Sequence, residues 1–277
     1  MLRQSAVFSG YRLQRFCSLD SIKPSIGIVL NVKPSIDNSF YEELKERWYT
    51  DFCHPIALLR KENEIRNPWI KETIERQRGN SQTILDIGCG AGFLTNALAL
   101  YGHRVTGIDL SPSSLEIARQ QDSTSSVQFA QADAHHLPFS ENSFDVVCAM
   151  DLLEHVEKPF AVIREAARVL KPGGLFFFHT FNRNWLSYLF VIKGVEWWLA
   201  QTPRHLHVYH LFIKPKELEH WCHESQIALQ ELKGLVPQIA SLAFWKGFFK
   251  RTVDPRMQFR LSPSLKTGYM GFGIKNA

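Results

Sequence analysis

The chain has 277 residues, 45% hydrophobic and 21% charged, which provides apolar material for one sizeable core with an appendage and argues against wholesale disorder. The net charge of +5 is spread without a Lys/Arg block, against a nucleic-acid tract and compatible with an anionic surface or substrate. Cys17, Cys53, Cys89, Cys148 and Cys222 are dispersed with no C-x-x-C pair, an arrangement expected of unpaired thiols in a reducing compartment.

Residues 1–38 show no convincing period. Within them Met1–Ser18 carries Arg3, Arg12, Arg15 and several serines but no acid. That is the composition of a mitochondrial transit peptide, and equally of a disordered extension or a start assigned too early in a bacterial gene. A folded domain is expected over residues 39–277, with a core at 80–182, an apolar insertion at 185–212 and a C-terminal part at 213–277. From Ser39 to Gln77 the pattern is helical, with a break near Asn67-Pro68, where Pro68 can open a new helix. Thr83–Ile87 is a short strand, Gly92–Tyr101 a helix and Arg104–Ile108 a strand. Pro112–Gln121 reads as a helix, Val127–Gln131 and Phe144–Met150 as strands, and Lys158–Leu170 as a helix. Leu170–Gly174 is a breaker loop, and Leu175–Thr180 is another buried strand. Past the apolar segment Trp185–Leu199, Pro215–Glu224 is helical, while Ala228–Gly234 and Thr267–Lys275 are strands. Strands alternating with helices imply a doubly wound α/β fold around a mostly parallel sheet. No apolar run is long enough to span a bilayer.

Asp86-Ile87-Gly88-Cys89-Gly90-Ala91-Gly92 lies between a strand and a helix. Such a loop binds nucleotide-like cofactors beyond the carboxyl ends of the strands. A dinucleotide fingerprint would place its third glycine one residue later. Asp86, just before the loop, suits a cationic amino or sulfonium group better than a pyrophosphate. Asp109, ending the second strand, can accept hydrogen bonds from both hydroxyls of a ribose. Asp133, after the third strand, is placed to meet an adenine amino group, and Met150, ending the fourth, to pack on the ligand.

Over about Asn80–Asn182 this arrangement resembles the class I methyltransferases. The resemblance implies a seven-stranded Rossmann-like sheet with S-adenosylmethionine as methyl donor, held by Asp86, Gly88, Gly90, Gly92, Asp109, Asp133 and Met150. A narrower resemblance runs from roughly Phe40 to the C-terminus. Arg47-Trp48-Tyr49, Asn67-Pro68, Met150–Val156, Asn182-Arg183-Asn184, Phe212-Ile213-Lys214-Pro215 and Tyr269-Met270 are similar to the ubiquinone-biosynthesis O-methyltransferase family. It implies methylation of a ring hydroxyl on a polyprenylated phenol or catechol.

Transfer from a sulfonium is an in-line displacement, so alignment supplies much of the rate. A protonated catechol is a poor nucleophile, and a divalent cation would acidify and orient it. On a helix Asp151, Glu154 and His155 would share one face, and the family resemblance implies them as ligands for Mg²⁺, with Asp151 standing where a Glu is usual. The other reading is that this stretch caps a helix or lines the pocket, as in metal-independent relatives of the same fold. His155 is a candidate catalytic residue, as is His207, which the resemblance places at the substrate pocket or as a base. Val208 stands where the family usually has Asp. His205 and His210 read as surface residues. Where the family carries an Arg for the methionine carboxylate this chain has Ile70, and Arg66 or Lys71 is the candidate substitute.

Trp185–Leu199 holds Trp185, Tyr188, Phe190, Trp197 and Trp198, and Phe244–Arg251 repeats the aromatic-plus-basic theme. Such a helix suits peripheral membrane contact, or a lid over a substrate pocket. The expected setting is cytoplasmic and peripheral to the inner membrane, or the matrix side of the mitochondrial inner membrane. The expected partners are a polyprenylated quinone precursor and other quinone-biosynthesis enzymes, with no nucleic acid. Competing functions are O- or C-methylation of another lipid or aromatic molecule, nicotinamide-dependent oxidoreduction, and an inactive membrane scaffold.

Overall fold

The structure is a computed structural model that describes residues 37–203 and 205–277. The segment read as targeting peptide or extension lies outside the described residues. Phe40–Leu44 (α1) and Arg47–Thr50 (α2) are short helices separated at Lys45, whose φ is 45°. Ile56–Arg78 (α3) continues through Pro68 for 23 residues, so the break expected there does not occur. Proline removes only the N–H that would reach the Glu64 carbonyl. Glu64 and Pro68 are both exposed, so that carbonyl is left on the solvent side of the helix, while Trp69, Ile70 and Ile74 pack on the sheet.

The α/β succession follows: Thr83–Ile87 (β1), Phe93–Leu100 (α4), Arg104–Asp109 (β2), Pro112–Gln121 (α5), Gln128–Gln131 (β3), Phe144–Met150 (β4), Pro159–Val169 (α6) and Leu170–Phe181 (β5). The expected breaker loop is part of β5. Leu170 pairs with Phe144 and Leu175 with Val146, so Pro172 and two glycines sit in a bulge, with Gly173 at φ 72°. After β4 no full helix forms. Asp151 takes φ 54°, and Leu153–His155 makes a single 3₁₀ turn.

The insertion comprises Trp185–Ser187 (α7), a π-helical stretch Tyr188–Lys193 and Gly194–Trp198 (α8). Pro215–Glu224 (α9), Ile227–Pro237 (β6), Leu242–Lys250 (α10), Phe259–Ser262 (β7) and Gly268–Lys275 (β8) complete the chain. The sheet has eight strands in the order β3-β2-β1-β4-β5-β8-β6-β7. The first five are parallel, β8 is antiparallel to β5 and β6, and β7 is antiparallel to β6. The eighth strand, unexpected from sequence, is β7. It is a four-residue edge strand with only its first residue buried, too short to show a period.

Central strands buried on both faces read as continuous apolar runs, and alternate residues go to opposite layers. Leu85, Val147, Phe176 and Phe178 pack with Ile163 of α6 and Leu218 of α9. Ile84, Val146, Cys148 and Phe177 pack with Ile74 of α3 and Leu98 of α4. Cys89, Cys148 and Cys222 are buried free thiols. Cys53 is disulfide-bonded, a departure from the expectation of unpaired cysteines.

Candidate active site

Strand order reverses between β1 and β4, and ligands bind outside the carboxyl ends at such a switch point. A cavity of about 360 Å³ opens there, lined by Asp86, Gly88, Gly90, Asp109, Asp133 and Met150, with Tyr41, Trp48, Arg66, Leu152 and His155 on its other walls. Gly92 stands just outside that lining. At φ 84° it turns the chain into α4, and a Cβ there would meet Asn96 Nδ2 at 2.9 Å and the Ala118 Cβ at 3.0 Å. At Gly90 a Cβ would meet the Trp48 ring at 3.0 Å, so the indole closes the cavity only over a bare backbone. Tyr41 stacks on that indole at 5.5 Å.

Asp86 is 3% exposed, and its Oδ2 accepts one hydrogen bond, from Thr95 Oγ1 at 3.1 Å. Burial raises its pKa to about 7, the state of a carboxyl awaiting a cation. Asp109 is held by backbone: the Gly90 N–H donates to Oδ2 and the Ser111 N–H to Oδ1, each at 2.9 Å. Burial raises its pKa despite these donors, and each oxygen keeps a lone pair for a hydroxyl. Asp133 sits at the mouth with Oδ1 2.9 Å from the His135 N–H, which holds its carboxyl below the ordinary range.

Asp151, Glu154 and His155 do not converge. The Asp151 backbone turns its carboxylate toward α3 and β5, where Arg66 Nη1 donates at 2.8 Å to Oδ1 and lies 2.6 Å from Oδ2. His179 Nδ1 donates to the same carboxylate. Burial alone would raise the Asp151 pKa, but Arg66 and then His179 outweigh it and hold it well below the carboxylate range. Burial works against a charged His179, yet Asp151 raises its pKa. Glu154 is 1% exposed, with neither oxygen hydrogen-bonded. Burial and the nearby Asp151 push its pKa to about 7. His155 is buried in the cavity wall with Nδ1 unpartnered, and burial lowers its pKa to about 4, which leaves it neutral at physiological pH.

His207 lies 5.6 Å from His155, ring to ring, and packs edge-on to Phe181 at 4.9 Å. Burial and then His155 push its pKa to about 3. His207 also lines a second cavity, of about 400 Å³, together with Tyr188, Ile192 and Lys193 of the π-helical stretch, and His205. His210 is exposed and lines neither cavity.

Residues 85–178 match the methyltransferase domain family. The ubiquinone biosynthesis O-methyltransferase of Nitrosococcus oceani is 34% identical over 250 residues, covering 89% of this chain and 97% of that protein. The protein of the same name from Pseudomonas syringae pv. tomato is 39% identical over 198 residues, 70% of this chain and 84% of its own. The chain belongs to the ubiquinone biosynthesis O-methyltransferase family. Among solved structures, a SAM-dependent methyltransferase from Thermotoga maritima, a possible histamine N-methyltransferase, superposes with a TM-score of 0.57 at 18% identity. It covers 86% of this chain and 99% of its own, a likeness of fold alone.

The cavity of this family member fits S-adenosylmethionine. Asp86 is a buried acid short of partners, the loop at Gly90 leaves no room for a Cβ, and Met150 and Leu152 supply apolar walls. The residues do not fit Mg²⁺ held by Asp151, Glu154 and His155, because the first is committed to Arg66 and His179. Of the two candidate substitutes for the missing arginine, Arg66 lines the cavity. Lys71 does not: it pairs with Glu75 at 2.9 Å and lies over the Tyr101 ring. Sequence reading missed His179 and Glu62. His179 had a signal, since a histidine inside the run Leu175–Thr180 must find a buried partner.

Proposed function

We infer that this protein transfers a methyl group from S-adenosylmethionine to a ring hydroxyl of a polyprenylated phenol or catechol in ubiquinone biosynthesis. Family membership supports the reaction. The observation that carries the assignment is a pair of cavities whose walls include the neighbouring rings of His155 and His207, 5.6 Å apart, one walled by the glycine loop and its acids, the other by the aromatic insertion.

When bound, the cofactor supplies an electrophilic methyl whose transfer leaves neutral S-adenosylhomocysteine. Asp86 would receive the cofactor ammonium, Asp109 would accept from the ribose hydroxyls, and Asp133 would face the adenine. His155 takes the acceptor's hydroxyl proton as the oxygen attacks, its neutral imidazole being free to do so. His207 and Phe181 wall the acceptor side and exclude water from the transfer path.

The insertion supports peripheral membrane contact. No helix of the described residues is long and apolar enough to cross a membrane. Trp198 is buried against Phe244 at 5.2 Å, joining α8 to α10. Trp185, Trp197, Leu242 and Phe249 are 65% to 89% exposed. Lys246, Lys250 and Arg251 flank that apolar face, which suits anionic headgroups.

The test is incubation with isotopically labelled S-adenosylmethionine and a lipid extract from a ubiquinone-making bacterium blocked in methylation, followed by mass spectrometry. The expected product is one labelled methoxy group on a polyprenylated ring. Label on a ring carbon or on an unrelated lipid would overturn the assignment of the acceptor.

A further inference from the structure

Among the described residues one set of metal-capable side chains, Glu62, Asp151 and His179, brings ligand atoms within 4.8 Å of one another. It is not the set that sequence resemblance implied, and it already contains a cation. Arg66 is 1% exposed, with Nη1 2.6 Å from Asp151 Oδ2 and 3.5 Å from Glu62 Oε2. A divalent ion would need bonds of roughly 2.0–2.3 Å to the same oxygens, which the guanidinium prevents.

We propose that Arg66 is a built-in replacement for a divalent cation at this end of the cavity, so that methyl transfer proceeds with no metal bound by Glu62, Asp151 and His179. Two observations carry this. The Asp151 backbone, at φ 54°, is in a conformation costly for any residue but glycine and least so for Asn and Asp, and it directs the carboxylate to Arg66 rather than toward Glu154 and His155. Arg66 lines the cofactor cavity with its Nε–H buried and unpartnered. A fixed guanidinium can stabilise a developing phenolate by charge and hydrogen bonding, with the proton going to His155. This inference rests on the methyltransferase reading above but not on the identity of the acceptor.

The test reads metal binding directly. Free aqueous Mn²⁺ gives an electron paramagnetic resonance signal that bound ion loses. Wild-type protein, alone and with S-adenosylhomocysteine, is expected to leave that signal unchanged. Turnover on the lipid extract is expected to change by less than about twofold after dialysis against EDTA and assay in chelator. Arg66→Met is expected to bind one Mn²⁺ per chain, and that site is expected to vanish when His179→Ala is added. Arg66→Lys keeps a cation in place and is expected to bind none. One bound Mn²⁺ in the wild type, turnover lost in chelator and restored by Mg²⁺, or no binding by folded Arg66→Met would each overturn the proposal. Should Arg66→Met fail to fold, the wild-type arms decide alone. Failure to methylate any lipid with or without Mg²⁺, while Mn²⁺ stays free, would refute the acceptor assignment instead.

Discussion

Asp86→Asn separates what the site costs from what it binds. The Asp86 pKa rises from 3.8 to about 7 on burial, with Asp109 and Asp151 adding to the rise and Thr95 opposing it. The folded state therefore holds a proton that the unfolded state has released. The stability associated with the protonated form is complete below pH 3.8 and is lost as pH rises through about 7. That loss corresponds to roughly 4 kcal/mol at most. Asparagine removes the charge and can still accept from Thr95 Oγ1. At about pH 8 the variant without cofactor is expected to be more stable than wild type by up to ~4 kcal/mol, or several degrees in Tm, and at about pH 4 to be nearly equal. S-adenosylmethionine at ~100 times its wild-type Kd should add roughly 2.7 kcal/mol to the wild type and nearly nothing to the variant. Differential scanning calorimetry with and without cofactor at both pH values measures all four quantities. A variant less stable than wild type at the higher pH, or one still stabilised by the cofactor, would refute the reasoning.

Asp109→Ala removes the acceptor for the ribose hydroxyls, and titration calorimetry should show S-adenosylmethionine affinity falling roughly 10- to 100-fold. His155→Asn should lower kcat by about 100-fold or more, with cofactor affinity within about twofold of wild type, in a single-turnover assay paired with calorimetry. Trp197→Ala combined with Phe249→Ala should reduce partitioning onto anionic vesicles by roughly tenfold or more, with turnover on a short-tailed acceptor unchanged.

The parts of the fold legible in the sequence are those where local chemistry and tertiary demand coincide. Phe144–Met150 and Pro112–Gln121 fall where expected, the first a doubly buried apolar run, the second a helix opened by Pro112 and capped by Ser111, whose Oγ accepts from the Ser114 N–H at 3.1 Å. Asp86, Gly88, Gly90, Asp109, Asp133 and Met150 meet in one cavity because each ends or follows a strand at the same edge of the sheet. Where one local rule conflicts with packing, packing wins. Pro68 breaks helices in general, but here it faces solvent between buried turns. The i, i+3, i+4 spacing of Asp151, Glu154 and His155 has meaning only on a helix, and the positive φ at Asp151 removes the helix. The Arg66–Asp151–His179 cluster joins α3, the end of β4 and β5 across 113 residues of chain from Arg66 to His179 (179 − 66). No local pattern carries a contact of that range.

That cluster also explains how a cation can line a cavity built for a cationic cofactor. An unpaired Arg66 would repel the sulfonium and ammonium, whereas Asp151, kept ionised by Arg66 and His179, offsets part of the guanidinium charge. The remaining acids, Asp86 and Asp109, then set the field that the cofactor meets, and their raised pKa values in the empty site mark a charge imbalance that a bound cation relieves. Methyl transfer abolishes the sulfonium charge and leaves the ammonium. The product would therefore keep an ammonium for Asp86 but lose the electrostatic contribution that only the substrate form of the cofactor has. Surplus negative charge in the site, beside one partly offset guanidinium, is expected to favour the methyl donor over its spent form.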